Sequence, residues 1–499
     1  MKKLFLLSAL ALSMSIAATA QQTEAAQTDV NQYGQEVKAT PVAAQVQDGI
    51  LVFQNKEANY KMWFDVRVQA DAAAFFGAPD YADKIGNGMS IRRARFAVKA
   101  QLNKNWYGEL DTDWTSGVPE IKDAYVGFTG VPGLEIKAGN FKENFSIQRN
   151  TTSRYLVFME RPMVTSLAPS RHLGLNVRYA YKWIWASAGI FGPELKDSEA
   201  QGFMEDYNKD FGMSEGLSYT GKVVFRPIDN KDASLHIGGA FTYRDPKTTQ
   251  FKFKDFEELI EEDEDVMAAL DEGKFSELDL VGTAMDSRNS TNINRKKYMN
   301  TGDLIGVDHE TAWTVELAGH WKGLRYEAAY IARTAHMNKA VNEVVYGKKG
   351  FDKFTGDGWY VQASYMLFGG TQAYDSNGAK YTRTTSGRNW GDLELAARFQ
   401  TMDLNDAVFA DGKFVSGITG GKANMYELGL NYYPCKNVKI MLNYSIVNQD
   451  KYANGKGADK GKFYVGLDED GEPTKKSSEV VGKGGVNYQM LALRFQVAF

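Results

Sequence analysis

The last ten residues of the chain alternate strictly in character and end in an aromatic residue. Because successive side chains of a strand lie on opposite faces, this segment has one apolar face and one face of small and polar residues. That pattern is typical of a transmembrane β-barrel strand, although a half-buried strand of a soluble sheet alternates in the same way. The apolar face comprises Leu491, Leu493, Phe495, Val497 and Phe499, and the other face comprises Met490, Ala492, Arg494, Gln496 and Ala498.

The amino terminus favours the membrane interpretation. Lys2 and Lys3 precede an apolar run over residues 4–12, and Ala18-Thr19-Ala20 supplies the small residues of a cleavage site. This pattern predicts a secretory signal peptide over residues 1–20. No later apolar run approaches the roughly 20 residues that a membrane helix needs, so any membrane insertion must use strands.

The remaining chain divides into two parts. Residues 21–59 are rich in Gln, Ala and Thr without periodicity, and we expect them to form a flexible periplasmic segment. Residues 60–499 contain about sixteen alternating segments, which predicts an all-β, antiparallel transmembrane barrel with an even number of strands. The predicted strands begin near Met62, Ile91, Trp106, Ile121, Leu134, His172, Trp183, Leu217, Ser234, Ala312, Leu324, Gly358, Trp390, Asn424, Val438 and Val486.

The connections between these segments alternate between short and long, as periplasmic turns and outer loops of a barrel do. The short outer loop 115–120 and the long periplasmic connection 368–389 break this alternation. The predicted long outer loops are 77–90, 142–171, 192–216, 245–311, 335–357, 402–423 and 448–485. Aromatic residues near the predicted periplasmic strand ends, expected to form a girdle, are Tyr179, Trp183, Trp185, Trp321, Tyr432 and Phe499.

The net charge and the cysteine content argue against nucleic-acid-binding and disulfide-stabilised proteins. The net charge of −4 does not suggest nucleic-acid binding, which needs a basic surface, and a single cysteine, Cys435, rules out an internal disulfide. The acidic segment 255–279 has apolar residues at near-helical spacing, which predicts a short amphipathic helix in the longest outer loop. It lacks the spaced ligands and central Gly of a calcium loop, so we expect a solvated acidic surface and no metal site.

The polar faces of the strands supply the candidate pore lining, which is slightly more basic than acidic. Basic side chains in a narrow aqueous pore favour anions, but a general porin also carries both signs, and the residues alone leave this alternative open. The wall candidates are Arg67, Arg93, Arg95, Lys99, Arg178, Arg244 and Arg494.

Several motifs are similar to those of the phosphate-selective porin family (porins O and P). They are Ile91-Arg92-Arg93-Ala94-Arg95, Asn140-Phe141-Lys142, Thr152-Ser153-Arg154-Tyr155, Phe158-Met159-Glu160-Arg161 and Leu167-Ala168-Pro169-Ser170-Arg171. The resemblance implies a 16-stranded, trimeric barrel in which loop 142–171 folds inward and brings Arg149, Arg154, Arg161 and Arg171 near the lumen. Glu160 would then be a structural partner. The chain departs from the family in showing only Arg93 and Arg95 at alternating spacing, where relatives carry a dense ladder of arginines.

We therefore expect an outer-membrane porin that passes small hydrophilic solutes by passive diffusion and leans toward anions such as phosphate. The alternative is a surface-binding or adhesion barrel whose long acidic outer loop carries the function. We expect no enzyme activity and no cofactor, because no Gly-x-Ser-x-Gly motif, metal-spaced histidine pair or outer-rim Asp-His set appears with the geometry that a barrel protease or lipase needs. Expected partners are outer-membrane lipid, small anions, two further copies of the chain and the assembly machinery, for which Phe499 would be the signal.

Overall fold

The computed structural model describes most of the chain after the predicted signal peptide, which lies outside the described residues. The described residues are 28–31, 33–38, 40–47, 49–82, 85–195, 216–245, 264–288, 290–294, 296–346, 351–410, 413–453, 466–474, 479–481 and 484–499. None of the helices in this part is long and apolar enough to cross a bilayer.

Sixteen antiparallel strands close into a barrel, as the alternating segments predict. We label them β1 to β16 in chain order. They are β1 Lys61–Phe76, β2 Gly88–Gln101, β3 Trp106–Asp113, β4 Glu120–Phe128, β5 Leu134–Lys142, β6 Arg171–Tyr181, β7 Ile184–Phe191, β8 Ser218–Asp229, β9 Ala233–Arg244, β10 Val307–Trp321, β11 Leu324–Met337, β12 Lys353–Met366, β13 Asp392–Ala410, β14 Lys413–Cys435, β15 Val438–Gln449 and β16 Tyr488–Ala498.

The barrel closes where β16 pairs with β1, and the register places Arg494 opposite Asp71. The alternation of the final strand is visible in its burial, because Leu491 and Phe495 are exposed on the outer surface whereas Ala492 and Arg494 are buried inside. Closure leaves no sheet edge, which is the condition for strands to cross a lipid bilayer.

The predicted aromatic girdle needs one correction. Tyr179, Trp183, Trp321 and Phe499 are exposed on the outside, but Trp185 is fully buried and points inward. Its indole nitrogen donates to the Asn377 carbonyl oxygen at 2.9 Å. The two-residue side-chain period therefore places Trp185 on the lumen face, because its neighbour Ile184 faces out.

The segment 21–59, which we expected to be flexible, contains two hairpins in its described part. Thr28–Val30 pairs with Glu36–Lys38, and Val42–Gln47 pairs with Ile50–Asn55. The second hairpin continues the sheet onto the periplasmic end of β1, where Val52 lies opposite Trp63. Backbone pairing with β1 therefore gives this segment a regular structure, although its sequence shows no alternation.

The loop between β5 and β6, residues 143–170, folds into the barrel. We call it the constriction loop. It contains the helix α1 Ile147–Asn150 and the 3-10 turns Ser153–Tyr155 and Met163–Leu167. Ser146 caps α1 by accepting a hydrogen bond from the Arg149 main-chain nitrogen. Phe145, Ile147, Phe158 and Met159 are all buried, so the loop is packed against the wall along most of its length.

The described part of the longest outer loop also folds into the barrel mouth. The hairpin formed by Gly282–Ser287 and Met299–Ile305 packs on the inner wall near Met402, Met425 and Met490. Outside this core lie the helix α2 Glu264–Asp271, the 3-10 turn Glu277–Leu280 and the helix α3 Lys339–Val345.

The predicted amphipathic helix is present as α2 in the described part of the acidic segment, and the residues before it lie outside that part. It buries Val266 and Ala269, whereas Met267 is exposed. Leu270 packs against the same apolar cluster, which includes Leu280 and Val341 of α3, so of the two predicted apolar residues only Met267 lies off the buried face.

Strands β13 and β14 correct the prediction of a long outer loop over 402–423. They are 19 and 23 residues long and run past the membrane as a paired ribbon. Leu404 is buried beneath the inward hairpin, and bulges interrupt the register between Asp403 and Asn405. Apolar side chains that pack on another loop extend the strands beyond the length that a bilayer requires.

The long periplasmic connection between β12 and β13, residues 367–391, is present where the sequence predicts it. We call it the periplasmic segment. It folds up into the barrel as a hairpin of Tyr374–Asp375 and Lys380–Tyr381. Asp392 anchors both ends of the segment by accepting from the main-chain nitrogens of Phe368, Gly370 and Gly387 at 2.7–2.9 Å. A further two-stranded pair, Gly466–Leu467 with Pro473–Thr474, lies in the last outer loop.

Candidate pore constriction

Four basic residues on the inner wall hold the constriction loop in place. Each donates to a main-chain carbonyl oxygen of the loop. Because Arg398 and Arg494 are each about 1% exposed at the side chain, they are covered by the loop that they bind. The donor and acceptor pairs are Arg325 to Tyr155, Arg398 to Glu160, Lys439 to Leu156 and Arg494 to Met159.

Arg494 therefore does not line the open pore, although the inner face of its strand suggests that it would. It faces inward, as the alternation predicts, but its guanidinium binds Asp71 at 2.6 and 2.7 Å and Glu160 at 2.9 Å. Glu160 also accepts two hydrogen bonds from Arg92 at 2.6 and 3.1 Å. The expected structural role of Glu160 agrees with these contacts.

Three further candidates belong to the same covered region, next to β1. Arg154 of the loop is buried and pairs with Asp65 on the wall. Arg67 donates to the Ser153 hydroxyl at 2.8 Å, and Arg93 donates to the Gln69 side-chain oxygen at 2.6 Å. These residues fasten the loop and the wall to one another.

The adjoining wall, from the second half of β2 to β6, keeps several charged side chains partly accessible. Arg95, Lys99 and Arg171 are 12%, 24% and 17% exposed at their side chains. Each is paired with carboxylates: Arg95 with Asp113, Lys99 with Asp65 and Glu109, and Arg171 bidentately with Asp123. This wall is therefore charged but close to neutral.

A group of three cations at the roots and tip of the constriction loop is different. Lys142, Arg149 and Arg161 are partly exposed, and in the described parts of the chain no carboxylate oxygen lies within 4.0 Å of their charged groups. We call them the constriction cations. Their hydrogen bonds go to main-chain carbonyl groups. Lys142 donates to Arg149, Arg149 to Thr165 and Ala168, and Arg161 to Gln148 and Thr151.

These bonds have a simple local cause. The carbonyl groups of the last turn of a helix have no intrahelical partner, and Arg161 satisfies those at the carboxyl end of α1. A carbonyl oxygen accepts a hydrogen bond without cancelling a full charge. The three constriction cations therefore add net positive charge at the loop, next to the paired Arg171 and Asp123.

The pKa values of Arg161 and Glu160 in the constriction loop follow from their burial and from the charged residues around them. Burial, and next the charge of Arg149, lower the pKa of Arg161 to about 9, so the guanidinium remains protonated at neutral pH. Burial alone would raise the pKa of Glu160, but Arg92, Arg93 and Arg494 outweigh it and hold that pKa well below its ordinary value. Arg161 and Glu160 therefore keep their charges over the neutral range.

Arg178 and Arg244, the remaining wall candidates, are engaged elsewhere. Arg178 pairs with Glu135 at 3.2 Å and donates to the Asn377 carbonyl oxygen of the periplasmic segment. Arg244 donates to Glu143 at 2.8 Å and contacts His172 at 2.9 Å. Both face the interior, but both hold an inward-folded segment in place.

Three carboxylates on the accessible wall lie close enough together to share an ion. Glu109, Asp111 and Asp123 each bring one oxygen within 4.8 Å of the others. However, Lys99, Arg95 and Arg171 already neutralise them at 3.2, 3.5 and 2.7 Å. The chemistry of the group is that of a salt-bridge network, and nothing in it calls for a metal.

The sequence indicated part of this site and missed part of it. The resemblance placed Arg149 and Arg161 near the lumen, but Lys142, the first residue of the predicted loop 142–171, was not among the candidates. Its position in the motif Asn140-Phe141-Lys142, at the root of the loop, is the signal that could have identified it. The pairing of almost every other candidate depends on contacts between distant segments.

Comparison with known proteins finds similar chains in sequence and in fold. The curated relative Porin O of Pseudomonas aeruginosa is 23% identical over 427 residues, covering 82% of this chain and 88% of the relative. Among solved structures, the outer membrane protein OmpT of Vibrio cholerae aligns with a TM-score of 0.46 and 10% identity, covering 88% and 98% of the two chains. The anion-selective porin from Comamonas acidovorans aligns with a TM-score of 0.45 and 10% identity, covering 88% and 100%.

A closed 16-stranded barrel, narrowed by an inward loop that carries charged residues, defines an outer-membrane porin. The family model of phosphate-selective porins O and P matches residues 64–260 and 264–469, which is well over half of the chain. The chain belongs to this family.

Proposed function

We propose that this porin passes small hydrophilic anions by passive diffusion, with phosphate within its range, and that the constriction cations supply the preference. The observation that carries the proposal is the imbalance at the constriction loop. Among the described residues, Lys142, Arg149 and Arg161 bind only carbonyl oxygens, whereas Arg95 and Arg171 of the wall β2 to β6 are paired with acids.

The physical reason is the cost of removing an ion from water. An ion that enters a narrow pore loses part of its hydration, and fixed charges of opposite sign offset that loss. At 4 Å, two unit charges interact by about 4 kcal/mol at the effective dielectric constant near a protein surface. Even a fraction of this attraction, supplied by uncompensated cations, is enough to favour anions over cations.

The membrane potential at zero current in a salt gradient tests the proposal. The purified porin is placed in a planar bilayer between about 0.1 M and about 1 M KCl, where the Debye length falls from roughly 10 Å to roughly 3 Å. We expect a reversal potential of the sign given by chloride permeation. A potential of the cation sign would overturn the proposal.

Phosphate is tested separately, because chloride conduction does not establish it. Adding inorganic phosphate to a chloride solution should reduce the chloride current at concentrations too low to alter bulk conductivity. A current that is insensitive to phosphate would leave a general anion porin and remove phosphate from the proposed range.

We further propose that the porin is a homotrimer and that the wall β3 to β5 faces the other copies. These three consecutive strands have eight, nine and nine residues. Nine residues tilted by about 40° rise roughly 23 Å, less than the apolar band of about 25 Å that a barrel presents to lipid. Contact with the neighbouring copies would cover the outer surface of these short strands. A trimer band in unheated gels that is lost in a Leu110→Glu variant would support the assignment.

The adhesion alternative finds no support in the described part of the long outer loop. Residues 282–287 and 299–305 turn into the barrel and pack on its inner wall instead of projecting outward. The family relatives are porins, and the absence of enzyme activity stays a prediction.

A further inference from the structure

Glu316, on the inner face of β10, is a fully buried carboxylate that binds three other parts of the chain. Its Oε2 atom accepts a hydrogen bond of 2.7 Å from the Ile147 main-chain nitrogen, at the start of α1. Its Oε1 atom lies 2.5 Å from Lys222 Nζ of β8 and 2.8 Å from His236 Nε2 of β9. The side chains of Lys222 and His236 are also fully buried. A buried carboxylate is stable in such a place because its charge is paired and its oxygens are hydrogen-bonded.

A glycine on the strand between them allows these side chains to meet. Gly238 of β9 lies directly opposite Glu316 in the strand register. A Cβ at Gly238 would lie 2.8 Å from His236 Nε2 and 2.9 Å from Glu316 Oε1. Because Gly238 has no side chain, Lys222 of β8 reaches across β9 to a carboxylate on β10. The group therefore depends on the backbone pattern of three neighbouring strands.

His236 connects Glu316 to the periplasmic segment. The carboxylate of Glu316 only accepts, so His236 Nε2 carries the proton of their hydrogen bond. The other nitrogen of the neutral ring, Nδ1, then accepts a hydrogen bond of 2.7 Å from the Tyr374 hydroxyl. Tyr374 belongs to the inward hairpin of the periplasmic segment, and its ring meets the imidazole edge to face with centroids 5.9 Å apart. An unbroken chain of hydrogen bonds therefore runs from that hairpin to the first residue of α1.

The two inward-folded segments also contact each other directly. Ile147 of α1 packs in one apolar cluster with Tyr374 and Tyr381 of the periplasmic hairpin. A second anchor holds α1 to the wall without the periplasmic segment, because Gln148 Nε2 donates to Glu327 Oε1 of β11 at 2.6 Å. With this anchor intact, α1 remains in the lumen when its link to the hairpin is cut, so the link adjusts its position.

The position of α1 determines where the constriction cations lie. Arg149 is part of α1, and Lys142 donates to the Arg149 carbonyl oxygen at 3.2 Å. Arg161 donates to the carbonyl oxygens of Gln148 and Thr151 at 2.6 and 2.8 Å. All three charges are therefore attached to the same short helix, and a shift of α1 moves them together.

We propose that Tyr374, His236 and Glu316 form a positioning relay through which the periplasmic segment sets the place of α1 and, with it, the ion selectivity of the constriction. The three residues act on a solute only through α1 and its cations. The relay deepens the proposed function and rests on it for the sign of the selectivity. A change at the periplasmic hairpin is therefore transmitted to the constriction loop.

Two substitutions that leave the charge of the neutral relay unchanged test it. Tyr374→Phe removes only the hydroxyl group, and His236→Leu removes both hydrogen bonds of the ring. Losing one hydrogen bond shifts an equilibrium between two positions by about two- to tenfold. We therefore expect each variant to lower the anion-to-cation permeability ratio by roughly twofold or more, read from the reversal potential in a KCl gradient, and to increase the open-channel noise.

The double variant Tyr374→Phe/His236→Leu separates a relay from two independent effects. Because both residues act through one hydrogen-bonded chain, its shift should be no larger than that of His236→Leu alone. His236→Gln, whose amide keeps one donor and one acceptor, should recover most of the wild-type ratio. Heat-modifiable mobility in gels first confirms that every variant is folded.

Tyr444→Phe is the matched control, because it removes a hydroxyl that bonds Gln489 at 2.6 Å on the outer face of β15. It should leave the permeability ratio and the noise unchanged. Wild-type values in Tyr374→Phe, shifts that add in the double variant, or a His236→Gln shift as large as that of His236→Leu would overturn the relay. A wild-type reversal potential of the cation sign would overturn the proposed function alone, since the noise and the non-additivity do not depend on which ion is preferred.

Discussion

Arg494 of the last strand and Asp71 of the first strand lie directly opposite each other across the barrel seam and form a two-point ion pair of 2.6 and 2.7 Å. The same guanidinium donates to the Met159 carbonyl oxygen and to Glu160 of the constriction loop. One side chain therefore joins the closure of the barrel to the position of the loop that narrows it.

Replacing Arg494 should therefore affect both stability and conductance. Arg494→Met leaves Asp71 buried without its partner, which costs roughly 3–5 kcal/mol in the free energy of unfolding. The loop also loses two anchors, so the single-channel conductance should rise and become noisier. Urea unfolding followed by gel mobility, together with bilayer recording, measures the two effects.

The double variant Arg494→Met/Asp71→Met is the control, because it removes both charges and leaves neither unpaired. It should recover much of the stability while the conductance stays altered. Equal unfolding midpoints for the wild type and the single variant would contradict the role of the pair.

Selectivity should depend on the constriction cations. Arg161→Gln keeps a donor for the carbonyl groups of Gln148 and Thr151 but removes the charge. We expect the anion-to-cation permeability ratio to fall several-fold, read from the reversal potential in a KCl gradient. Lys104→Gln, in an exposed turn, removes the same charge away from the loop. If both variants shift the potential equally, the effect is one of overall charge and not of the constriction.

Acid should release the constriction loop only at very low pH. Burial alone would raise the pKa of Glu143, but Arg244 and His172 outweigh it and lower the pKa to about 2, from an ordinary value of 4.5. A depressed carboxyl pKa stabilises the folded state above the ordinary value, and this stabilisation is lost as the pH falls toward 2. Conductance and its noise should be unchanged from pH 7 to pH 5 and should increase toward pH 2.

Glu143→Gln removes this titrating group and keeps a hydrogen-bonding side chain. The variant should be less stable at pH 7 and should lose part of the stability change between pH 5 and pH 2. An acid profile identical to that of the wild type would show that other groups govern the transition.

The periplasmic segment should limit the current through the barrel. The Tyr381 ring is buried under the Arg325 guanidinium, and its hydroxyl donates to the carbonyl oxygens of Gly319 and Tyr326 at 3.0 and 2.6 Å. Tyr381→Ala should cost about 3–5 kcal/mol in stability, loosen the hairpin and raise the single-channel conductance. Tyr365→Ala, on the exposed outer face, is the matched control and should leave the conductance unchanged.

The terminal residue should matter for assembly. The Phe499 main chain exchanges two hydrogen bonds with Val66 of β1, at 2.7 and 3.0 Å, and its ring is exposed on the outer surface. Deleting Phe499, or making it Asp, should reduce the amount of folded porin in the outer-membrane fraction, whereas Phe499→Tyr should assemble. Normal assembly of the deletion variant would contradict its role as the signal.

The barrel was predictable because its signal is local. The alternation of residues such as Leu491 and Ala492 sets the two faces of a strand, and turn lengths separate one strand from the next. The long periplasmic connection near 368–389, which broke the alternation of short and long connections, is present in the structure as residues 367–391. The prediction of a loop over 402–423 was wrong, because β13 and β14 extend by packing on a distant hairpin.

The sequence by itself determined the class of this protein: an exported chain of sixteen alternating segments, with basic side chains directed inward. Only the tertiary structure decided which of those charges remain to act on a solute. Arg494 and Arg398 face inward as the alternation requires, yet the constriction loop covers them, whereas Lys142 and Arg161 bind carbonyl oxygens and have no carboxylate partner among the described residues. Side-chain direction follows from a two-residue period, but charge pairing depends on contacts between segments hundreds of residues apart, which no local pattern contains.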